Sequence, residues 1–324
     1  MRLPGRRDRV SRRVHCVLAV LLAASQQGVA EARPKLPATG EVIYVQKGAL
    51  WRARLAEPRQ GTKLLPLPAR WRINRLEASG DGSAVLIDLG RNAAWIDLGS
   101  EPPTPVYLPC RGRAHLSPDG ERVLCASRAR GDTSIYRLRP RLGASLLEGF
   151  DPAVTALADL RGERVLTAER QGLWSSLVAQ PDQRTQVAPH VPSGVLSVAP
   201  DGQRAVGRYR DGTNGDSLFG FRLDGEAARR KLGPGVPVAW SADSTWLAVL
   251  DNRTACVLRA VGGEYKCWDN YRPLALDHDG SWLLLAKPPT GKGRLDLFLG
   301  RIGGPKTERP LRLLRGVVAA TLVP

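Results

Sequence analysis

A Pro-Asp-Gly turn, or a worn copy of it, returns about every forty residues along this chain. With the glycine as anchor, matching positions fall at Gly40, Gly82, Gly120, Gly162, Gly202, Ser244 and Gly280, at intervals of 36 to 42 residues. A period of this size marks a repeat architecture, in which one supersecondary unit is copied and buries its apolar face against the next copy. The anchor has a physical reason. Pro and Asp favour the early positions of a tight turn, and Gly takes the positive φ that reverses the chain.

Each anchor is followed by the same grammar. An alternating apolar strand comes first: "EVIYV", "AVLIDL", "RVLCAS", "RVLTAE", "RAVGRY", "TWLAVL", "SWLLLA". A polar turn follows, then a strand with an aromatic residue near its start or middle: Trp51, Trp95, Tyr136, Trp174, Phe219 and Phe298, with Val257 the exception. Shorter apolar strands precede the anchors, such as "HLS", "VTALA", "VLSVA", "PVAWS" and "PLALD", and a more polar strand ends each unit, as in "PVYLP", "RRKLG" and "EYKCW". Period-two alternation with frequent turn signals predicts an all-β, antiparallel protein. Four strands graded from apolar to polar describe a β-propeller blade, the first lining a central channel and the last meeting solvent.

The chain ends set the blade count. Gly40 has only "RPKLPAT" before it, too short and proline-broken for an inner strand, while "GVVAATLVP" at 316–324 is an apolar strand with no blade after it. The C-terminal strand is therefore expected to close the ring by joining the first blade, which pairs otherwise free edges. The count is seven four-stranded blades, with six and eight open.

The residues Ser117, Pro118, Asp119, Gly120, Ser127, Gly131, Ile135 and Tyr136 follow the pattern "SPDG…I…S…G…IY". In this the chain resembles the TolB-like propellers, strongly in one blade, fairly at "APDGQRAVGRY" and faintly elsewhere. The resemblance implies the fold class and a bacterial envelope setting; it does not carry over the partner of any one member. TolB itself has an extra amino-terminal domain and typically six blades, and this chain has no room for that domain. WD repeats match less well, with Trp268-Asp269 the lone pair of that kind.

Residues 1–32 read as a cleaved signal peptide: six arginines, an apolar run from Val14 to Ala24, then Ala30-Glu31-Ala32 at signal-peptidase spacing. The run is shorter than the roughly 20 residues of a membrane span. Ser11-Arg12-Arg13 leaves the twin-arginine route open beside the general one. The remainder, 33–324, is expected to be one propeller domain, periplasmic or extracellular. The net charge of +17 becomes about +13 once six Arg, Asp8 and Glu31 are removed. The basic residues are scattered, which argues against nucleic acid and leaves an envelope protein or an anionic glycan as partner. A monomer is expected.

Four cysteines remain, which in an oxidising compartment suggests two disulfides. Cys256 and Cys267 flank a hairpin around Gly262 and Gly263, and Cys110 and Cys125 bracket the turn at Gly120.

Catalytic chemistry finds little footing. No GxSxG elbow occurs. His115, on an inner strand with Glu77 as another channel residue, His190, on an outer strand, and His278, in a turn, come from different layers, which disfavours a shared metal. "DGTNGDS", with Asp211, Asn214 and Asp216, and "LDHDGS", with Asp277 and Asp279, cluster oxygen ligands, yet hairpin turns prefer the same residues. Neither a metal nor a cofactor is implied. Arg128 and Arg130 in "SRARGD" and Arg208 and Arg210 in "RYRDG" fall in equivalent loops of two blades and are the candidate binding residues. The expected function is a non-enzymatic protein-interaction or scaffold module, with a polysaccharide-binding or polysaccharide-lyase propeller as the alternative.

Overall fold

Six of the seven anchors adopt the left-handed backbone that the turn demands. Their φ angles are +91° at Gly40, +68° at Gly82, +71° at Gly120, +66° at Gly202, +61° at Ser244 and +70° at Gly280. Gly162 lies outside the described residues. The computed structural model describes residues 35–110, 113–127, 132–139, 145–147, 158–161, 164–169, 172–189, 196–210, 215–223, 229–262, 265–287 and 294–323.

The strands form seven four-stranded antiparallel sheets, each a blade. The inner strands are Ala319–Val323 in blade 1, Arg75–Ala78 in blade 2, Arg113–Leu116 in blade 3 and Ala158–Arg161 in blade 4. They continue as Leu196–Val198, Val236–Trp240 and Arg272–Leu276 in blades 5 to 7. Each lies against the inner strand of the next blade, and the last lies against the first, so the ring is closed. Closure uses the C-terminal strand as expected: it pairs antiparallel with Glu41–Gln46, Thr321 facing Ile43 and Leu322 facing Val42. In blade 4 the inner strand is described over Ala158–Arg161, and four residues of "VTALA", 154–157, lie outside the described ones.

The core sits between blades. One apolar cluster joins Val42 and Tyr44 of blade 1 to Leu284 and Leu297 of blade 7. Similar clusters join blade 1 to 2, 2 to 3, 4 to 5, 5 to 6 and 6 to 7. Alternation along a strand thus supplies apolar side chains to both neighbours. The aromatic position of the third strand has the same purpose: Trp95 is fully buried and its Nε1–H donates to the Gly120 carbonyl of the next blade's turn at 3.0 Å.

Both disulfides form. Cys256 and Cys267 face each other across the hairpin of blade 6. Cys110 lies in the connection leading into blade 3, and its bond to Cys125 ties that connection to the blade's second strand.

Candidate functional site

Register along the inner strands builds the channel wall. Opposite the third residue of each second strand stand, from blade 1 to blade 7, Thr321, Glu77, His115, Asp159, Ser197, Ala239 and Ala275. This ring is polar from blade 1 through blade 5 and reduced to alanine in blades 6 and 7. Nearer the strand starts, opposite the fifth residue of the second strand, stand Ala319, Arg75, Arg113, Val236 and Arg272, with one extra residue bulged out ahead of the alanine in blades 6 and 7. Inner strands run in one sense around a propeller, so these arginines share one mouth of the channel.

A cavity of about 560 Å³ occupies the channel. At the mouth it is lined by Arg75, Asp88, Val236 and Arg272, and at the far end by Pro118 and Pro200 of the anchor turns. Glu77 and His115 line it midway, and Leu274, Ala275 and Leu276 of blade 7 line it as well.

Blades 2 and 3 put one charged cluster into this wall. The Arg75 guanidinium donates to Glu77 Oε2 at 2.6 Å and to the Ala114 carbonyl at 3.0 Å. It lies 3.4 Å from Nδ1 of His115, and Glu77 Oε2 lies 3.8 Å from the same nitrogen. His115 is only 6% exposed. A histidine packed between a guanidinium and a carboxylate has a fixed orientation, and the cluster presents shaped charge to whatever enters. Arg272 is exposed at the mouth. Among the described residues, no three His, Cys, Asp or Glu gather as metal ligands.

The sequence-predicted residues distribute as follows. Arg208 and Arg210 end the second strand of blade 5, Arg204–Arg210, and therefore lie at the same mouth as Arg75 and Arg272. Arg208 Nε is 3.3 Å from Asp216 Oδ2, and Arg210 is exposed. Arg128 and Arg130, His190, and Asp211 and Asn214 lie outside the described residues. Asp277 and Asp279 spend their oxygens on turn hydrogen bonds, from the Trp282 and Ser281 amides respectively. His278 sits in that turn, and its carbonyl accepts from the Asp243 amide at 3.1 Å.

His115 and Glu77 were visible in the sequence as channel residues. Arg75 and Arg272 were missed: aligning anchors places Glu77 and His115 five residues and Arg75 and Arg113 seven residues before the glycine, whereas Arg272 stands eight before Gly280 and reaches the same register only through the bulge in its strand.

No protein-family model matches the chain, and no curated protein matches it either. Solved structures do. TolB from Acinetobacter baumannii is 14% identical with a TM-score of 0.53, over 99% of this chain and 74% of that one. AztD from Citrobacter koseri is 11% identical, with TM-scores of 0.60 and 0.61 in two structures covering 89% and 88% of this chain and 98% of AztD. At these identities the likeness establishes the fold, a TolB-like β-propeller, and leaves function to be argued from the site.

Proposed function

We propose that the chain is an exported, non-enzymatic interaction module whose arginine-bearing channel mouth receives an acidic segment of an envelope protein. The observation that carries this reading is the channel itself. A cavity with Arg75 and Arg272 at its mouth, a fixed Glu77–His115 pair within and an apolar side offers recognition by charge and shape. Arg208 and Arg210 extend the same positive rim, and Arg128 and Arg130, which follow the second strand of blade 3 in sequence, are proposed to join it. Residues 1–32 are proposed to be removed on export, leaving 33–324 as a monomeric propeller. The two disulfides support an oxidising compartment.

The test is affinity capture by the mature chain, 33–324, from an envelope extract, run beside an Arg272→Glu, Arg210→Glu double variant. A stoichiometric acidic protein held by the wild type and lost by the variant is the expected result. Equal capture by both would overturn the channel-mouth reading.

The excess of positive charge and the His115–Glu77 approach favour one second reading, a polysaccharide-binding or polysaccharide-lyase propeller. Recovery of polysaccharide alone would support its binding form. Turnover of an acidic polysaccharide, abolished by His115→Ala, would support its lyase form.

A further inference from the structure

The loops on the channel-mouth face carry their charge unevenly. Strands alternate in direction within a blade, so this face receives every hairpin from second to third strand and every connection that enters an inner strand. In blade 7 Lys287 ends the second strand, Arg294 precedes the third, and Arg315 lies near the end of the outer strand, Leu311–Val317. In blade 1 Lys47 stands at the hairpin tip; Arg70 and Arg72 follow in the connection to blade 2, whose own hairpin presents Arg91. All seven are exposed, and no ion pair among the described residues involves them. The same segments hold two carboxylates, Asp88 and Asp296, and each accepts a turn amide, from Gly90 at 2.7 Å and from Gly316 at 3.3 Å. Residues 288–293 lie outside the described ones, and their sequence adds a lysine and no acid. Blades 5 and 6 are balanced on this face: among the described residues Arg208, Arg210 and Arg253 stand with Asp216, Asp251 and Asp269.

Apolar side chains stand among these cations. Trp71, between Arg70 and Arg72, meets Tyr107 of blade 2's outer strand edge to face, with ring centroids 5.5 Å apart. Tyr107 is 52% exposed, and Val318, in the connection into the closing strand, is 37% exposed. Lys47 has a φ of +50°, at the hairpin place that Asn252 fills in blade 6 with +54°. Asparagine tolerates that backbone better than lysine does, so the turn alone gives no reason for Lys47.

We propose that this sector of the mouth face, blades 7, 1 and 2, rests on an anionic phospholipid surface. Negative headgroups attract clustered Lys and Arg that come within a Debye length of them. Trp and Tyr favour the headgroup level, where the ring is sheltered and the polar atom stays wet. Arginine stems lie along apolar surface while their guanidiniums meet phosphate. Loops of three successive blades make a broad front, which suits a planar partner better than a single chain threaded through a cleft. The sector lies outward of the channel wall, so it and the channel's reception of an acidic protein segment can fail independently.

The test is co-sedimentation of the mature chain, 33–324, with vesicles of phosphatidylcholine alone or mixed with phosphatidylglycerol. Binding to the mixed vesicles is expected, at least tenfold tighter than to phosphatidylcholine and weakened by added salt. Lys47→Glu, Arg72→Glu and Arg315→Glu, combined, are expected to weaken it at least tenfold. Arg59→Glu, Arg137→Glu and Lys306→Glu change the net charge equally on exposed residues of the opposite face and are expected to leave it within about twofold. If the first triple lowers the melting temperature, Arg70→Gln with Arg91→Gln carries the same test, with a severalfold loss expected. Tyr107→Ser changes no charge and is expected to weaken binding severalfold, which adsorption by charge alone would not show. Absence of binding to anionic vesicles, an equal loss in both triples, or unchanged affinity in Tyr107→Ser would overturn the proposal. Retention of polygalacturonate by a chain that ignores the vesicles would also overturn it, and would give the sector to an acidic polymer.

Discussion

Blades 6 and 7 make the same turn with different chemistry. In blade 6 the Ser241 hydroxyl donates to Asp243 Oδ1 at 2.5 Å and accepts from the Trp246 amide at 2.9 Å, while Asp243 also takes the Thr245 amide. In blade 7 Asp277 stands where Ser241 stands. Its Oδ1 accepts from the Trp282 amide at 2.9 Å, and Asp279 takes the Ser281 amide. A carboxylate has no hydrogen to give its neighbour, so Asp277 reproduces the serine only when protonated. The two acids respond accordingly. Burial, with a lesser push from Asp279, raises Asp277 to about 6 against the opposing Trp282 amide. Burial also pushes Asp279 upward, but donors from Ser281 and Asp277 outweigh it and hold it below its ordinary value. Asp243 behaves like Asp279: burial opposes, and donors from Ser241 and Thr245 prevail. The comparison teaches that the repeat keeps one amide acceptor with two different groups, and that the carboxyl in that place has its pKa raised.

The largest expected effect tests the anchor itself. Blade 6 accommodates Ser244 at a φ of +61°, and its hydroxyl accepts from the Asp201 amide of blade 5 at 2.8 Å. Blade 7 has Gly280, against which the Trp246 ring packs so closely that no Cβ fits. Gly280→Ser therefore combines left-handed strain with a steric clash, and a loss of about 3 kcal/mol is expected by urea denaturation. A loss under 1 kcal/mol would mean that Trp246 moves freely and that the anchors are interchangeable.

Ser241→Ala comes next. It removes the acceptor of the Trp246 amide and a donor to Asp243 at a site with no solvent exposure. The expected loss is about 2 kcal/mol, because buried partners are left unmade. The same denaturation, run at pH 5 and pH 7, should show the loss at both.

Much of this was legible in the sequence, and the reasons differ by residue. The anchors, the strand order and the closing strand followed from spacing alone, because positive φ and period-two burial act within a few residues. The serine of the turn was legible only as part of a resemblance. Asp277 and Asp279 offered oxygens to a calcium loop but read first as a hairpin turn, and the sequence does not say where the hydrogens of that turn go. The Arg75–Glu77–His115 cluster depends on register between strands and between blades, which a 40-residue period fixes only after all blades are aligned.

The pH dependence separates the two turns. Asp277 has a folded value of about 6 against an ordinary 3.8. Raised in the fold, it contributes stability that is fully present below about pH 4 and is lost as pH rises through 6. Asp243 and Asp279, lowered in the fold, contribute stability that is present above pH 4 and is lost as pH falls below it. Besides Asp279, His278 lies in the same turn, and its carbonyl accepts from the Asp243 amide. Between pH 4 and pH 7 the wild type is expected to lose about 1–2 kcal/mol from this residue, a figure reduced for solvent screening. Asp277→Ser should flatten that slope and leave the decline below pH 4 intact. An unchanged slope would show that Asp277 keeps no proton of its own.

The smallest effect sharpens the comparison from the opposite direction. Blade 5 has Ala199 at the serine position, and Asp201 turns to the Gln203 amide and the Arg204 side chain. Ala199→Ser would give the Arg204 amide the acceptor that Ser241 gives Trp246, and give Asp201 a hydroxyl donor. Ala199 is fully buried, but the same backbone holds a serine in blades 2, 3 and 6, where Ser79, Ser117 and Ser241 bond alike. A gain of about 0.5–1 kcal/mol is expected in urea denaturation. The gain should come without a pH slope, because a hydroxyl brings its own hydrogen. A loss would show that blade 5 has relaxed around alanine, and that the ion pair of Asp201 with Arg204 had replaced the serine's contribution.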